Sequence, residues 1–181
     1  MSQTPHWQMR HQELGKPKND KDYFERMSRV IFMSGLNWQT LDKKWAGIKK
    51  AFASFDVNKV ANFEESKVEE LMENPEVIRN LLKIRAVIDN AREIQAVVEE
   101  HGSFANYLAA LRRNGGEDGL RNTISKRFAF LSQGTTVIFL FSVGEDLPTA
   151  RREWEKNRNR QEGHRAGKVE GATDGSHLRS A

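Results

Sequence analysis

Cysteine is absent from all 181 residues. That rules out disulfides and any thiolate-ligated metal, and it suits a reducing cytoplasm. No apolar run approaches the roughly 20 residues that cross a bilayer. The opening residues Met1-Ser2-Gln3-Thr4-Pro5-His6-Trp7 lack the basic and apolar regions of a secretory signal, so a cytoplasmic protein is expected. Internal repeats are missing too. The histidines His6, His11, His101, His164 and His177 stand at no ligand spacing to one another. No metal site and no cofactor are therefore expected. Charge of one sign is not extreme. The formal net charge is +4 and the pI ≈ 9.4, compatible with a phosphate-binding surface but also common in proteins that never meet nucleic acid.

What is present is helical periodicity. Asn19 or Asp20 can cap a helix with Tyr23, Phe24, Met27, Val30 and Ile31 on one face and Gly35 as its stop. Asn37 caps a second helix carrying Leu41, Trp45, Ile48 and Phe52. Asp56 caps a short third over residues 57–62, and a fourth runs over 65–72. Asn74-Pro75-Glu76 reads as cap, first-position proline and first-turn acid. A long buried helix through Val77, Leu81, Ile84, Val87, Ile88 and Ala91 is expected from there to Gly102. Ser103 caps residues 104–111, residues 112–119 read as a Gly-rich loop, and a further helix reaches about Leu131. The β-branched run 137–141 has no partner strand nearby and reads as helix, from Thr135 to Val143. Pro148 starts a last polar helix to about residue 160. Residues 161–181 have almost nothing to bury and are expected to be disordered. The expectation is one all-α domain over residues 1–160 with a polar tail.

Residues 126–143 read as helix, glycine turn, helix. Gly134 would allow a positive φ, and Gly134-Thr135-Thr136 would present free N–H groups at a positive helix end. Such an end binds a DNA phosphate without reading sequence. The same pattern also fits a plain helix corner with Thr135 as an ordinary cap.

Several motifs recur in a fixed order: Ser34-Gly35-Leu36-Asn37-Trp38, Lys43-Lys44, Ala51-Phe52-Ala53-Ser54-Phe55-Asp56, Val57-Asn58-Lys59-Val60-Ala61, Ile78-Arg79-Asn80, Lys83-Ile84, Asn90-Ala91, Gly102-Ser103-Phe104, Ser125-Lys126 and Gly134-Thr135-Thr136. In that order and at those spacings, most of residues 9–145 resembles DNA-3-methyladenine glycosylase I, a bacterial base-excision repair family. The resemblance implies an all-α glycosylase fold with a helix-hairpin-helix element. It also implies double-stranded DNA as a partner, bound without sequence preference by a monomer. Phosphate contacts would come from Gln133, Gly134, Thr135, Thr136 and Lys126. Gly35 and Leu36 would wedge into the gap left by a flipped base, and Trp38 would line the base pocket. Glycine permits close approach and indole stacks on bases, although Leu36 and Trp38 also fit a helix–helix turn packed into a core.

Four features of that family are altered. Typical members carry a base-binding glutamate in the helix ahead of the Gly-Leu-Ser-Trp motif; counting back from Trp38, that position is Val30. The family's zinc site of cysteines and histidines is gone. Its pocket tyrosine falls near Met9, and its tryptophan before the Gly-x-Pro element is Leu14. A pocket of Met9, Leu14 and Val30 would not select 3-methyladenine by hydrogen bonding. Carboxylates after the hairpin could still stabilise an oxocarbenium-like transition state. Glu145 and Asp146 occupy that region, where they also fit a solvated turn capping the last helix. Glu64 and Glu65 resemble a helix N-terminal acid pair. The expected activity is hydrolysis of the N-glycosidic bond of an alkylated purine with altered base preference. The alternatives are an inactive DNA-structure binder on the same scaffold, or a fold recruited to a small molecule or protein.

Overall fold

The computed structural model describes residues 15–157 and 159. Its two compact units run to Asp146 and from Leu147. Among the described residues there is no strand, and no helix is long and apolar enough to cross a membrane. The first unit contains α1 (Asp20–Met33), α2 (Trp38–Ala51), a 3-10 turn (Ala53–Phe55), α3 (Val57–Ala61), α4 (Glu65–Glu73), α5 (Leu81–His101), α6 (Phe104–Arg127) and α7 (Gln133–Ser142). In the second unit a helix, α8, spans 148–157. The expected disorder of residues 161–181 lies outside the described residues.

The helix starts follow the capping chemistry. Asn19 accepts from the Asp22 N–H at 3.0 Å, Asn37 from Gln39 at 2.8 Å, Asp56 from Lys59 at 3.0 Å and Ser103 from Asn106 at 3.1 Å. Each side chain satisfies a donor that the first turn leaves open. The core is built around α5, which packs on α1, α3, α4 and α6. Its Ile84, Val87, Ile94 and Val97 are fully buried, as are Phe24, Met27 and Ile31 of α1.

Three local expectations change. The helix expected from Asn74 begins instead at Leu81, capped by Asn80, whose side chain accepts from the Lys83 N–H at 3.1 Å. Asn74 closes a single turn, accepting from the Glu76 N–H on its side chain and the Val77 N–H on its carbonyl. Two caps compete within seven residues, and buried Val77 anchors the segment as a loop. Gly47 of α2 lets that loop approach, because a Cβ there would lie 2.6 Å from the Glu76 Cβ.

Residues 112–119 are not an eight-residue loop: two helical stretches, here labelled together as α6, meet at a break at Gly116 (φ 59°, ψ −151°). Only this one glycine leaves the helical region, so glycine content overstated the break. Finally, α6 ends at Arg127 rather than near Leu131.

Candidate nucleic-acid interface

The turn between α6 and α7 is held from below. Asn90, buried on α5, accepts from the Ala129 N–H at 2.7 Å and donates to the Ala129 carbonyl at 3.0 Å. Phe128 and Leu131 flank it as buried anchors. The backbone turns at Phe130, with φ 64°, and not at Gly134, which is the second residue of α7. The expected positive-φ glycine is therefore corrected: the buried amide of Asn90 and the two apolar anchors hold a phenylalanine in the left-handed region.

Ser132 caps α7, its Oγ accepting from the Thr135 N–H at 3.3 Å, while the Thr136 N–H bonds the Ser132 carbonyl at 2.8 Å. Among the described residues, the N–H groups of Gln133 and Gly134 donate to nothing. A Cβ on Gly134 would meet only the Ser132 Oγ, at 4.0 Å, so the approach to those donors is open. The Gln133 side chain turns back to Ser125 and Asn122, at 2.8 and 3.2 Å. Thr136 is buried and helps seat the helix. Lys126 is exposed, with no ion pair or hydrogen bond among the described residues. Arg127, the other cation ahead of the turn, is committed to Glu93 and Glu100 and lies over the Tyr107 ring.

The loop from Ser34 to Trp38 is the second part. The Ser34 N–H bonds the Val30 carbonyl at 3.2 Å, and the Leu36 N–H bonds Met33 at 2.9 Å. Gly35 sits at φ +75°, which turns the chain sharply out of α1. Leu36 and Trp38 stand 38% and 41% exposed, so neither is packed into the core. An open hollow of ≈ 450 Å³ is lined by Ser34 at the base of this loop and by Ser125, Phe128, Phe130, Leu131, Ser132 and Thr135 of the hairpin; Gly35, Leu36 and Trp38 are not among its lining residues.

The base-reading positions are less united. Val30 is buried and is not part of that hollow. Among the described residues, no carboxylate lines the hollow either. Glu145 follows the far end of α7, whose 10 residues rise about 15 Å. Its Oε2 accepts from Arg112 Nε and Nη2 at 2.9 and 2.6 Å. Arg112 Nη2 also donates to the Asp146 carbonyl at 2.8 Å, and the Asp146 side chain is exposed. Burial raises the Tyr23 hydroxyl's pKa above its ordinary value, with Glu145 adding to the effect. Arg26 closes this end by donating to the Ser142 carbonyl and, at 2.8 Å, to that of Gly15. Glu65 pairs with Arg85 at 2.5 Å. Met9 and Leu14 lie outside the described residues. Among the described residues no group of acidic or histidine side chains could hold a metal.

Asn90 and Phe130 carried no assigned role in the sequence, nor did Lys83, whose Nζ donates to the Phe32 and Ser34 carbonyls at the base of the 34–38 loop. The signal available was the polar residue type at Lys83 and Asn90 on an otherwise apolar helix face.

The methyladenine glycosylase family model matches residues 2–132. DNA-3-methyladenine glycosylase 1 of Escherichia coli K12 is 31% identical over 148 residues, 71% of this chain and 78% of that protein. A crystal structure of 3-methyladenine DNA glycosylase I superposes with a TM-score of 0.65 at 26% identity, covering 79% of this chain and 90% of that one. The Staphylococcus aureus 3-methyladenine DNA glycosylase I shares the fold, with a TM-score of 0.66 at 21% identity over 79% of this chain and 87% of its own. With the fold, the sequence match and the motif order in agreement, the chain belongs to the methyladenine glycosylase family, whose named relatives are DNA N-glycosylases.

Proposed function

We propose that this protein is a DNA N-glycosylase with altered base preference, acting on duplex DNA as a cytoplasmic monomer. The reading is supported by two elements whose base residues, Ser34 of the loop and Ser132 and Thr135 of the hairpin, share one hollow. One is the α7 N-terminus with two uncommitted N–H groups and Lys126 nearby. The other is a loop that exposes Leu36 and Trp38. The first suits a DNA phosphate. The second suits the gap and the face of an extruded base.

An alkylated, cationic purine is already a good leaving group. The C1′–N bond breaks with its electron pair going to the base, which departs neutral. Water adds to C1′ and gives up a proton to solvent. The protein then needs to extrude the base, position water and supply negative charge near the oxocarbenium. Asp146, exposed, and Glu145, held by Arg112, are the candidate sources. With Val30 in place of the base-binding glutamate, recognition rests on shape and stacking.

A second reading is favoured by specific observations: Val30 is buried, no acid among the described residues lines the hollow, and Glu145 is already ion-paired. These suit an inactive binder of kinked or abasic DNA. Release of free base from methylated duplex, read by chromatography, separates the two. Wild type would be run beside Trp38→Ala and the pair Glu145→Gln/Asp146→Asn. Release by wild type that is lost in the variants supports the enzyme. No release at enzyme excess, with salt-sensitive binding to abasic duplex, refutes it in favour of the binder.

A further inference from the structure

Beneath the proposed wedge loop lies a buried cation with no carboxylate partner among the described residues. Lys83, in the first turn of α5, is 5% exposed. Its Nζ donates to the Phe32 carbonyl at 3.1 Å and to the Ser34 carbonyl. These carbonyls belong to the last turn and cap of α1, a helix with no basic residue in its own last turn. Lys83 thus supplies from another helix the positive charge that a helix C-terminus favours. The same ammonium lies 6.0 Å from the centre of the Phe130 ring, within reach of a cation–π attraction. Burial lowers its pKa from the ordinary lysine value.

The surroundings give this contact its meaning. Leu36, Trp38, Leu81, Leu82 and Phe130 are the exposed large apolar side chains among the described residues. All belong to the three segments that meet at this lysine: the wedge loop, the start of α5 and the hairpin turn. Asn90, seven residues along α5 and so on the same face, holds that turn by the Ala129 backbone. One rigid helix therefore carries both grips.

We infer that Lys83 is a positioning residue, which braces the wedge loop against the hairpin turn so that phosphate binding and DNA distortion occur in fixed register. The inference rests on the DNA-binding reading above, and it holds for an active enzyme and an inactive binder alike. A wedge displaced by ~1 Å can cost on the order of 100-fold in a positioned step. Weak phosphate contacts made by Lys126 and the α7 N–H groups would survive such a displacement.

The test uses a duplex with an abasic analogue and 2-aminopurine beside it, a base that fluoresces when unstacked. Wild type should bind and raise the fluorescence. Lys83→Met should bind within about threefold of wild type yet lose on the order of 90% of the fluorescence rise, since an apolar isostere removes the brace and leaves the α7 donors in place. Lys83→Arg, which keeps the charge and the donors, should recover part of the rise. Melting curves accompany each variant. The inference is overturned if Lys83→Met distorts DNA as wild type does. It is also overturned if binding and distortion fall in proportion, or if Lys83→Met fails to fold, for then Lys83 serves only the fold. A wild type that binds no duplex at low salt would instead sink the DNA-binding reading itself, and the silent protein would be wild type and not the variant.

Discussion

Replacing Asn90 with alanine should uncouple the hairpin turn from the core. The side chain is fully buried and makes two bonds to one residue, accepting at 2.7 Å and donating at 3.0 Å. Each such bond contributes about 1 kcal/mol net. The vacated amide leaves a small cavity, which adds to the loss. Ala129 is itself exposed, so water can reach its backbone, and the full penalty of a buried orphan is not incurred. The expected destabilisation is ~2–3 kcal/mol. At about 3 °C per kcal/mol for a domain of this size, that is a fall in Tm of about 6–9 °C. Urea titration should show a lower midpoint with an unchanged m-value. Binding to abasic duplex should weaken as well, because Phe130 loses its enforced positive φ and α7 its fixed entry. Asn90→Asp adds a second arm. It keeps the acceptor for the Ala129 N–H but turns a carboxylate toward the Ala129 carbonyl. Burial raises that carboxyl's pKa in the folded state above its unfolded value. Its destabilisation should therefore be worst near about pH 8 and ease toward about pH 5 as the group takes up a proton. A loss below about 0.5 kcal/mol for Asn90→Ala, in the range of ordinary surface changes, would refute the claim that these bonds hold the turn.

Lys126→Ala should leave Tm unchanged, since the side chain is exposed and uncommitted. It should also lower the slope of log affinity against log salt by about 0.9, read by fluorescence anisotropy over a salt series. Gly47→Ala places a Cβ 2.6 Å from the Glu76 Cβ. Overpacking of ~1–3 kcal/mol outweighs the ~1 kcal/mol gain in helix propensity, so denaturant titration should show a net loss, and a net gain would refute the close approach. Arg127 holds the Glu100 carboxyl below its ordinary pKa of 4.5 through a hydrogen bond. That stabilisation is present above the unfolded pKa and is lost as pH falls through the folded one. The stability gap between wild type and Glu100→Gln should hold above about pH 5 and close below it; a pH-independent gap would contradict the pairing.

The helices were legible where one local signal acted alone. Asn19, Asn37, Asp56 and Ser103 each cap the helix that follows, and apolar periodicity identifies the buried faces. Reading failed where local signals compete or tertiary contacts decide. Asn74-Pro75 is a valid start, but buried Val77 and the second cap at Asn80 make it a turn. Gly115 and Gly116 suggested a loop, yet helical bonding resumes after a single kinked residue. Nothing in the segment around Phe130 marks it for a positive φ, because the cause lies on another helix at Asn90. The motif at residues 34–38 was legible through its resemblance to a known family, and Leu36 and Trp38 are both exposed. Lys83 was not assigned: its polarity on an apolar helix face was a signal, but its acceptors are backbone carbonyls, which no sequence pattern distinguishes.

The grips at Lys83 and Asn90 make α5 intolerant of a change in length between them. Each inserted or deleted residue turns the downstream helix by about 100° and shifts it by about 1.5 Å. A single-residue indel in that stretch would direct one grip away from its carbonyls even if every apolar position were refilled. Substitutions there can be compensated one at a time, whereas a frame change cannot. Engineering of this scaffold should therefore alter residues within 84–89 but preserve their number.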